Sequence, residues 1–295
     1  MRVIALLPAA TEIVAALGGA GQLVGISHEC DYPKSVLGLP RVTATTVNVA
    51  ASGAAIDAEV RRLSASGNPI IGIDANELRR LSPDLVITQS LCDVCAVADG
   101  EMHRLGTTLD PAPRILSLAA RDVPGIWSDI RRVGEALDLS DEAEELTLGL
   151  ESRLARLRSR HQTPRPRVVC IEWLDPLYLA GHWVPELVEA AGGDDVGARP
   201  GSHSARREWD ELAALAPDHA LVMLCGLGID RALQELQALT DRAALDFLHS
   251  VTVSIVDGNA YTSRPGPRVV DGAIRVSSAL SAHTSQDVRR WQPAS

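Results

Sequence analysis

Aromatic residues are scarce in this chain of 295 residues: one Phe, three Tyr and five Trp. Aliphatic side chains must therefore supply most of the core, and each ring is worth locating. Lysine is nearly missing, with Lys34 alone and arginine carrying the other positive charges, a bias of base composition rather than of function. The net charge of −10 removes the basic footprint that general nucleic-acid binding needs. No apolar run approaches the roughly 20 residues of a membrane-spanning helix, so the chain is not expected to insert in a membrane. Met1-Arg2 leads directly into an apolar strand, Val3–Leu7, with no targeting segment before it. That arrangement predicts a cytosolic protein, and an odd count of five cysteines fits a reducing compartment better than a disulfide framework. Also missing are a recognisable Ser-His-Asp arrangement, a phosphate-binding glycine loop and a His-Glu-x-x-His motif.

What is present is α/β patterning in two similar halves. The stretch Ser140–His161 reads as one long helix between them. Leu146, Leu150, Leu154 and Leu157 share a face, Ser140 is placed to cap the start, acids crowd the first turns and arginines the last. Pro164 and Pro166 stop it. In the first half, strands are expected at Val3–Leu7, Leu23–Ile26, Ile70–Ile73, Leu85–Thr88 and Arg114–Leu118. Helices are expected from Thr11, over Ile56–Ala65 and over Val123–Leu137. In the second half, strands are expected at Val168–Ile171, Leu177–Ala180, Leu221–Leu224 and Val251–Val256, with helices after Trp183 and over Val269–Leu280. Two echoes link the halves. Leu17-Gly18-Gly19 before Val24-Gly25 matches Ala191-Gly192-Gly193 before Val196-Gly197, and Leu78–Leu81 with Pro83-Asp84 matches Leu212–Ala216 with Pro217-Asp218. The tail after His283 reads as loose.

Alternating strands and helices imply parallel sheets with crossover helices. The expected architecture is two Rossmann-like lobes joined by the long helix, with residues 1–121 as the first lobe, 122–163 as the terminal and bridging helices, and 164–295 as the second lobe. Ligands of open α/β sheets bind beyond the carboxyl ends of the strands. That rule points to a cleft between the lobes, lined by Pro8–Thr11, Ser27–Pro33, Gln89–Cys95, Leu118–Arg121, Trp173, Gly181–Trp183, Cys225–Gly228 and Asn259–Arg268.

Several motifs carry a family resemblance in order along nearly the whole chain. They are Leu7-Pro8-Ala9-Ala10-Thr11-Glu12, Val24-Gly25, Asp31-Tyr32-Pro33, Pro83-Asp84-Leu85-Val86, Ala191-Gly192-Gly193, Pro217-Asp218 and Ser263-Arg264-Pro265-Gly266-Pro267-Arg268. The chain resembles the helical-backbone substrate-binding proteins of metal-chelate ABC transporters, in particular their cobalamin-binding branch. The resemblance implies a rigid two-lobed binder without catalysis, a cobalt corrinoid, haem or ferric siderophore as ligand, and an ABC permease as partner.

The candidate site residues fall in the loops named above. His28, Cys30, Cys92 and Cys95 could form a tetrahedral zinc or iron site, since a Cys-x-x-Cys pair with one more Cys and a His completes four ligands. Small thiols packed inside loops are the plain alternative. On the resemblance, His28 could instead offer a ring nitrogen to the cobalt of a cobalamin-like corrinoid, with Glu29 and Asp31 orienting the imidazole. His182 is the counterpart in the second half. Tyr32, Trp173, Trp183 and Tyr261 offer flat faces to a macrocycle, Arg264 a guanidinium to its oxygens, and Pro8 and Thr11 a close turn. A metal-dependent enzyme using Glu29 as general base, or a metal or redox sensor, remains the rival reading of the His/Cys cluster.

Overall fold

The structure, a computed structural model, describes residues 1–91, 99–160 and 164–292. The first half runs β1 (Val3–Ala5), α1 (Pro8–Ala16), β2 (Leu23–Ile26), β3 (Thr43–Thr45), α2 (Gly53–Ala65), β4 (Ile71–Ile73), α3 (Ala75–Leu81), β5 (Leu85–Gln89), α4 (Asp99–Gly106), β6 (Arg114–Leu118) and α5 (Val123–Ala136). Then come α6 (Ser140–Arg158), β7 (Arg167–Leu174), β8 (Leu177–Leu179), α7 (Val184–Ala190), β9 (Asp194–Asp195), β10 (Ala205–Arg206), α8 (Trp209–Leu212) and β11 (His219–Val222). The chain finishes with α9 (Ile229–Ala238), α10 (Arg242–Ser250), β12 (Thr252–Val256), α11 (Gly258–Tyr261), α12 (Val269–Leu280) and β13 (Val288–Trp291). These elements belong to two units. One comprises residues 1–51, 58–120 and 124–149, the other residues 52–57, 121–123 and 150–295.

In the first unit, β2, β1, β5 and β6 lie side by side in that order and all pair in parallel. β1 and β5 are apolar at nearly every position and buried along their length, as a strand covered on both faces must be. α1 begins three residues earlier than the pattern suggests. Pro8 takes the first turn, where its missing N–H costs nothing, and the helix closes on Gly18, whose φ of +81° suits glycine. Gly25 in β2 has no room for a side chain: a Cβ there would sit 2.8 Å from Leu81 and 2.9 Å from Val42.

α6 follows the expected span closely, except that Ser140 is its first residue and not its cap. Its buried stripe is Ala143, Thr147, Leu150, Leu154 and Leu157, while Leu146 is half-buried.

In the second unit the parallel core is β7, β11 and β12. The expectation of purely parallel strands meets antiparallel additions on both sides. β8 folds back on β7 through the two residues Asp175-Pro176, too short for a crossover, and β10 pairs with β8. On the far side β13 pairs antiparallel with β12. The tail expected to be loose is thus a sheet strand, ordered by backbone pairing that its polar sequence does not announce. β11 starts at His219, two residues before the expected strand, and α9 and α10 fill the stretch before β12. Behind these strands sits a continuous apolar core that includes Ile171, Leu179, Trp209, Leu212, Phe247 and Ile255.

The echo between the halves has a physical basis. Arg2 precedes β1 and Arg167 opens β7. The backbone N–H of Arg2 donates to Asp84 at 2.6 Å and that of Arg167 to Asp218 at 2.8 Å. Each guanidinium then donates to the carbonyls just before the Pro-Asp pair: Leu81 at the end of α3 for Arg2, and Leu215 and Ala216 at the end of the 3-10 turn Ala213–Leu215 that continues α8 for Arg167. At both places the helix ends in a left-handed residue, Ser82 or Ala216. A guanidinium at the carbonyl end of a helix, with the same arginine's backbone N–H held by the aspartate just before the next strand, is one solution used twice.

Candidate functional site

The loop after β2 carries the best-defined polar cluster of the first unit. Thr43 Oγ1 donates to the buried Ser27 hydroxyl at 3.1 Å. It therefore accepts from the backbone N–H of His28 at 3.0 Å and from His28 Nδ1 at 2.7 Å. With its proton on Nδ1, the imidazole presents Nε2 as a bare lone pair. Burial, with the Arg41 guanidinium, holds the His28 pKa below the ordinary histidine value, so the ring is neutral at pH 7. Arg41 also fixes the loop, donating to the carbonyls of Ser27 at 2.7 Å and Cys30 at 2.6 Å.

The other candidates of this loop divide by exposure. Glu29, Asp31 and Tyr32 are exposed. Cys30 is buried, its Sγ lying 3.1 Å from Oγ1 of the fully buried Thr11, and Pro8 is half-buried. Cys92 and Cys95 lie outside the described residues. Among the described residues no group of three His, Cys, Asp or Glu side chains is placed to hold a metal ion. A small cavity of about 180 Å³, lined by Arg79, Ser82, Pro83, Thr108, Leu109, Asp110 and Pro111, lies at the amino ends of β5 and β6, the edge opposite these loops.

The second unit holds the remaining candidates. His182 sits after β8 with φ of +53°, a left-handed conformation uncommon outside glycine and asparagine. Its N–H donates to Ser202 at 2.6 Å and its carbonyl accepts from Gly201 at 2.9 Å. Its Nε2 is buried without a hydrogen-bond partner among the described residues, an arrangement that costs about 1–3 kcal/mol. Burial, His203 and Arg121 all lower the His182 pKa. Trp183 is buried, and its indole N–H donates to the Thr262 carbonyl at 2.9 Å. Trp173 is half-buried and donates to the Asp175 carbonyl at 3.1 Å. Tyr261 donates to Asp287 at 3.2 Å, and the guanidinium groups of Arg268 and Arg275 each lie 4.7 Å from its ring centre. Arg264 is buried in the proline-glycine turn and donates to Asn259 at 2.8 Å.

A family model for periplasmic binding proteins matches residues 3–244. The chain belongs to this family. Solved structures of similar fold include a periplasmic heme binding protein from Pseudomonas aeruginosa, with a TM-score of 0.74 at 18% identity, covering 100% of this chain and 99% of that one. The periplasmic vitamin B12 binding protein BtuF of Vibrio cholerae has a TM-score of 0.66 at 20% identity, covering 95% of this chain and 96% of its own. The periplasmic heme-binding protein RhuT from Roseiflexus sp. RS-1 has a TM-score of 0.64 at 20% identity, covering 95% and 98%. At these identities the likeness is one of fold. No curated protein sequence matches. No helix among the described residues is long and apolar enough to cross a membrane.

Reading the sequence of this family member places Ser27 beside His28 in the loop but does not reveal Arg41 and Thr43 as its setting, because they lie thirteen and fifteen residues on with no motif to mark them. It also passes over His203, which lies beside His182 with ring centres 5.4 Å apart. The clue available was a second histidine between two serines, Ser202-His203-Ser204.

Proposed function

We propose that the protein binds a metal chelate of the tetrapyrrole class, a cobalamin-like corrinoid, with His28 Nε2 as a ligand to its metal. The observation that carries this is the relay from Ser27 through Thr43 to His28 Nδ1. A hydrogen bond to one imidazole nitrogen sets the tautomer and raises the basicity of the other. A neutral imidazole is the form that ligates, and the depressed pKa keeps it neutral near pH 7. Membership of the periplasmic binding family supports a ligand-carrying role, and neighbours of the fold are described as heme and vitamin B12 binding proteins. In this reading the exposed ring of Tyr32, in the same loop as His28, contributes a flat face to the macrocycle. The partner in this reading is the permease of an ABC transporter.

The experiment is an absorption titration of the purified protein with aquocobalamin and, separately, hemin. The expected result is saturation by the corrinoid at one per chain, with low-micromolar affinity or tighter (about −8 kcal/mol or better), and a spectral shift lost in His28→Ala. Saturation by hemin alone replaces the corrinoid with a porphyrin. No spectral change with either ligand removes the chelate reading.

A further inference from the structure

We propose that His182 and His203 form a two-imidazole site for a free first-row divalent transition ion, an assignment that does not rest on the chelate reading. Two observations meet here. The Nε2 of His182 is a buried ligating atom without a hydrogen-bond partner among the described residues. The His203 ring lies beside it at 5.4 Å between centres, turned by 85°. Imidazole nitrogens at about 2.0–2.1 Å from a tetrahedral ion place their ring centres roughly 5.2 Å apart, so the observed separation suits a shared ion.

The backbone holds the two rings in register. His182 N–H donates to the Ser202 carbonyl at 2.6 Å, Gly201 N–H to the His182 carbonyl at 2.9 Å, and Gly181 N–H to Ser204 Oγ at 3.3 Å. The residues on either side of His203 are thus tied to the segment carrying His182. Gly181 makes the approach possible, since a Cβ there would collide with the Ser202 carbonyl oxygen and sit 2.7 Å from the His203 carbonyl carbon. Copper(II) serves as the probe, because nitrogen ligands bind it most tightly of the first-row divalent ions.

The test titrates the full chain with copper(II) against a competing chelator and records the electron paramagnetic resonance spectrum. One ion per chain is expected, with hyperfine splitting from two imidazole nitrogens. His203→Ala and His182→Asn, the latter chosen because asparagine tolerates the left-handed backbone, are each expected to weaken copper at least tenfold, with circular dichroism unchanged in His203→Ala. His283→Ala serves as the surface-histidine control and keeps the parent affinity. Unchanged copper affinity in His203→Ala, a signal from a single nitrogen, or no uptake by the parent protein would overturn the proposal. Cobalamin titration is unaffected by any of these outcomes.

Discussion

At the scale of single residues, the account turns on which polar atoms already have partners. Thr43 occupies His28 Nδ1 and so leaves Nε2 as the nitrogen that the proposed chelate would engage. Thr43→Val is therefore expected to weaken chelate binding about ten- to hundredfold, the usual effect of removing the group that orients a ligating histidine, and Thr43→Ser to restore it, both read by absorption titration. Two buried titratable groups give a second expectation. His219 is buried against Ser254 at 2.9 Å, and burial pulls its pKa down to about 4. The unfolded chain takes that proton near 6.5, so stability is present above this pH and lost as pH falls toward 4. Asp195 has the opposite sign: burial raises its pKa to about 6, although Gly197 and Ala198 donate to it. It costs stability above pH 6, and that cost is relieved as pH falls toward 4. Each effect is on the order of 2–3 kcal/mol. Denaturant unfolding of Asp195→Asn should show a gain over the parent at pH 7 that vanishes near pH 4. His219→Gln should lose less stability than the parent on acidification. The opposite slopes would contradict the assignment. From sequence, His28 and His182 are legible as candidates because each sits in a polar loop after an apolar strand. The buried sulfur of Cys30 matches the plain alternative of a thiol packed inside a loop, while its partner Thr11 is not legible, because the contact joins two distant segments.

At the scale of elements, local pattern and local structure agree wherever one face decides. β6 spans Arg114–Leu118 and α12 spans Val269–Leu280, the ranges their apolar spacing indicates. Agreement ends where pairing, rather than burial, makes the strand. β13 contains Arg289 and Arg290 and is held by β12 and by ion pairs such as Arg275 with Asp287 at 3.1 Å, none of which leaves a hydrophobic signature. The Arg2–Asp84 and Arg167–Asp218 locks were half visible, as Pro-Asp echoes whose arginine partners lie 82 and 51 residues away. Asp218→Ala leaves the Arg167 N–H and the strand start without their acceptor and is expected to cost about 1–2 kcal/mol in denaturant unfolding. Gly25→Ala forces Leu81 and Val42 aside and is expected to cost about 1–3 kcal/mol by the same assay. A neutral result in either would show that the echo is not a structural joint.

At the scale of the whole molecule, the alternation of strands and helices and the midpoint helix α6 made the α/β class and its two halves readable before any coordinates. Family membership over residues 3–244 and the fold of known heme and vitamin B12 binding proteins agree with that reading. The ligand is less readable, because it is chosen by a few loop side chains whose neighbours come from elsewhere in the chain, and function resides in such sites rather than in the fold. The central claim is that His28 takes the metal of a corrinoid. Equilibrium dialysis of the protein and of His28→Ala against aquocobalamin tests it most directly. The account predicts one corrinoid retained per chain by the parent, and retention at least tenfold weaker in the variant without the imidazole-bound spectrum. Equal retention by both proteins with identical spectra would contradict it.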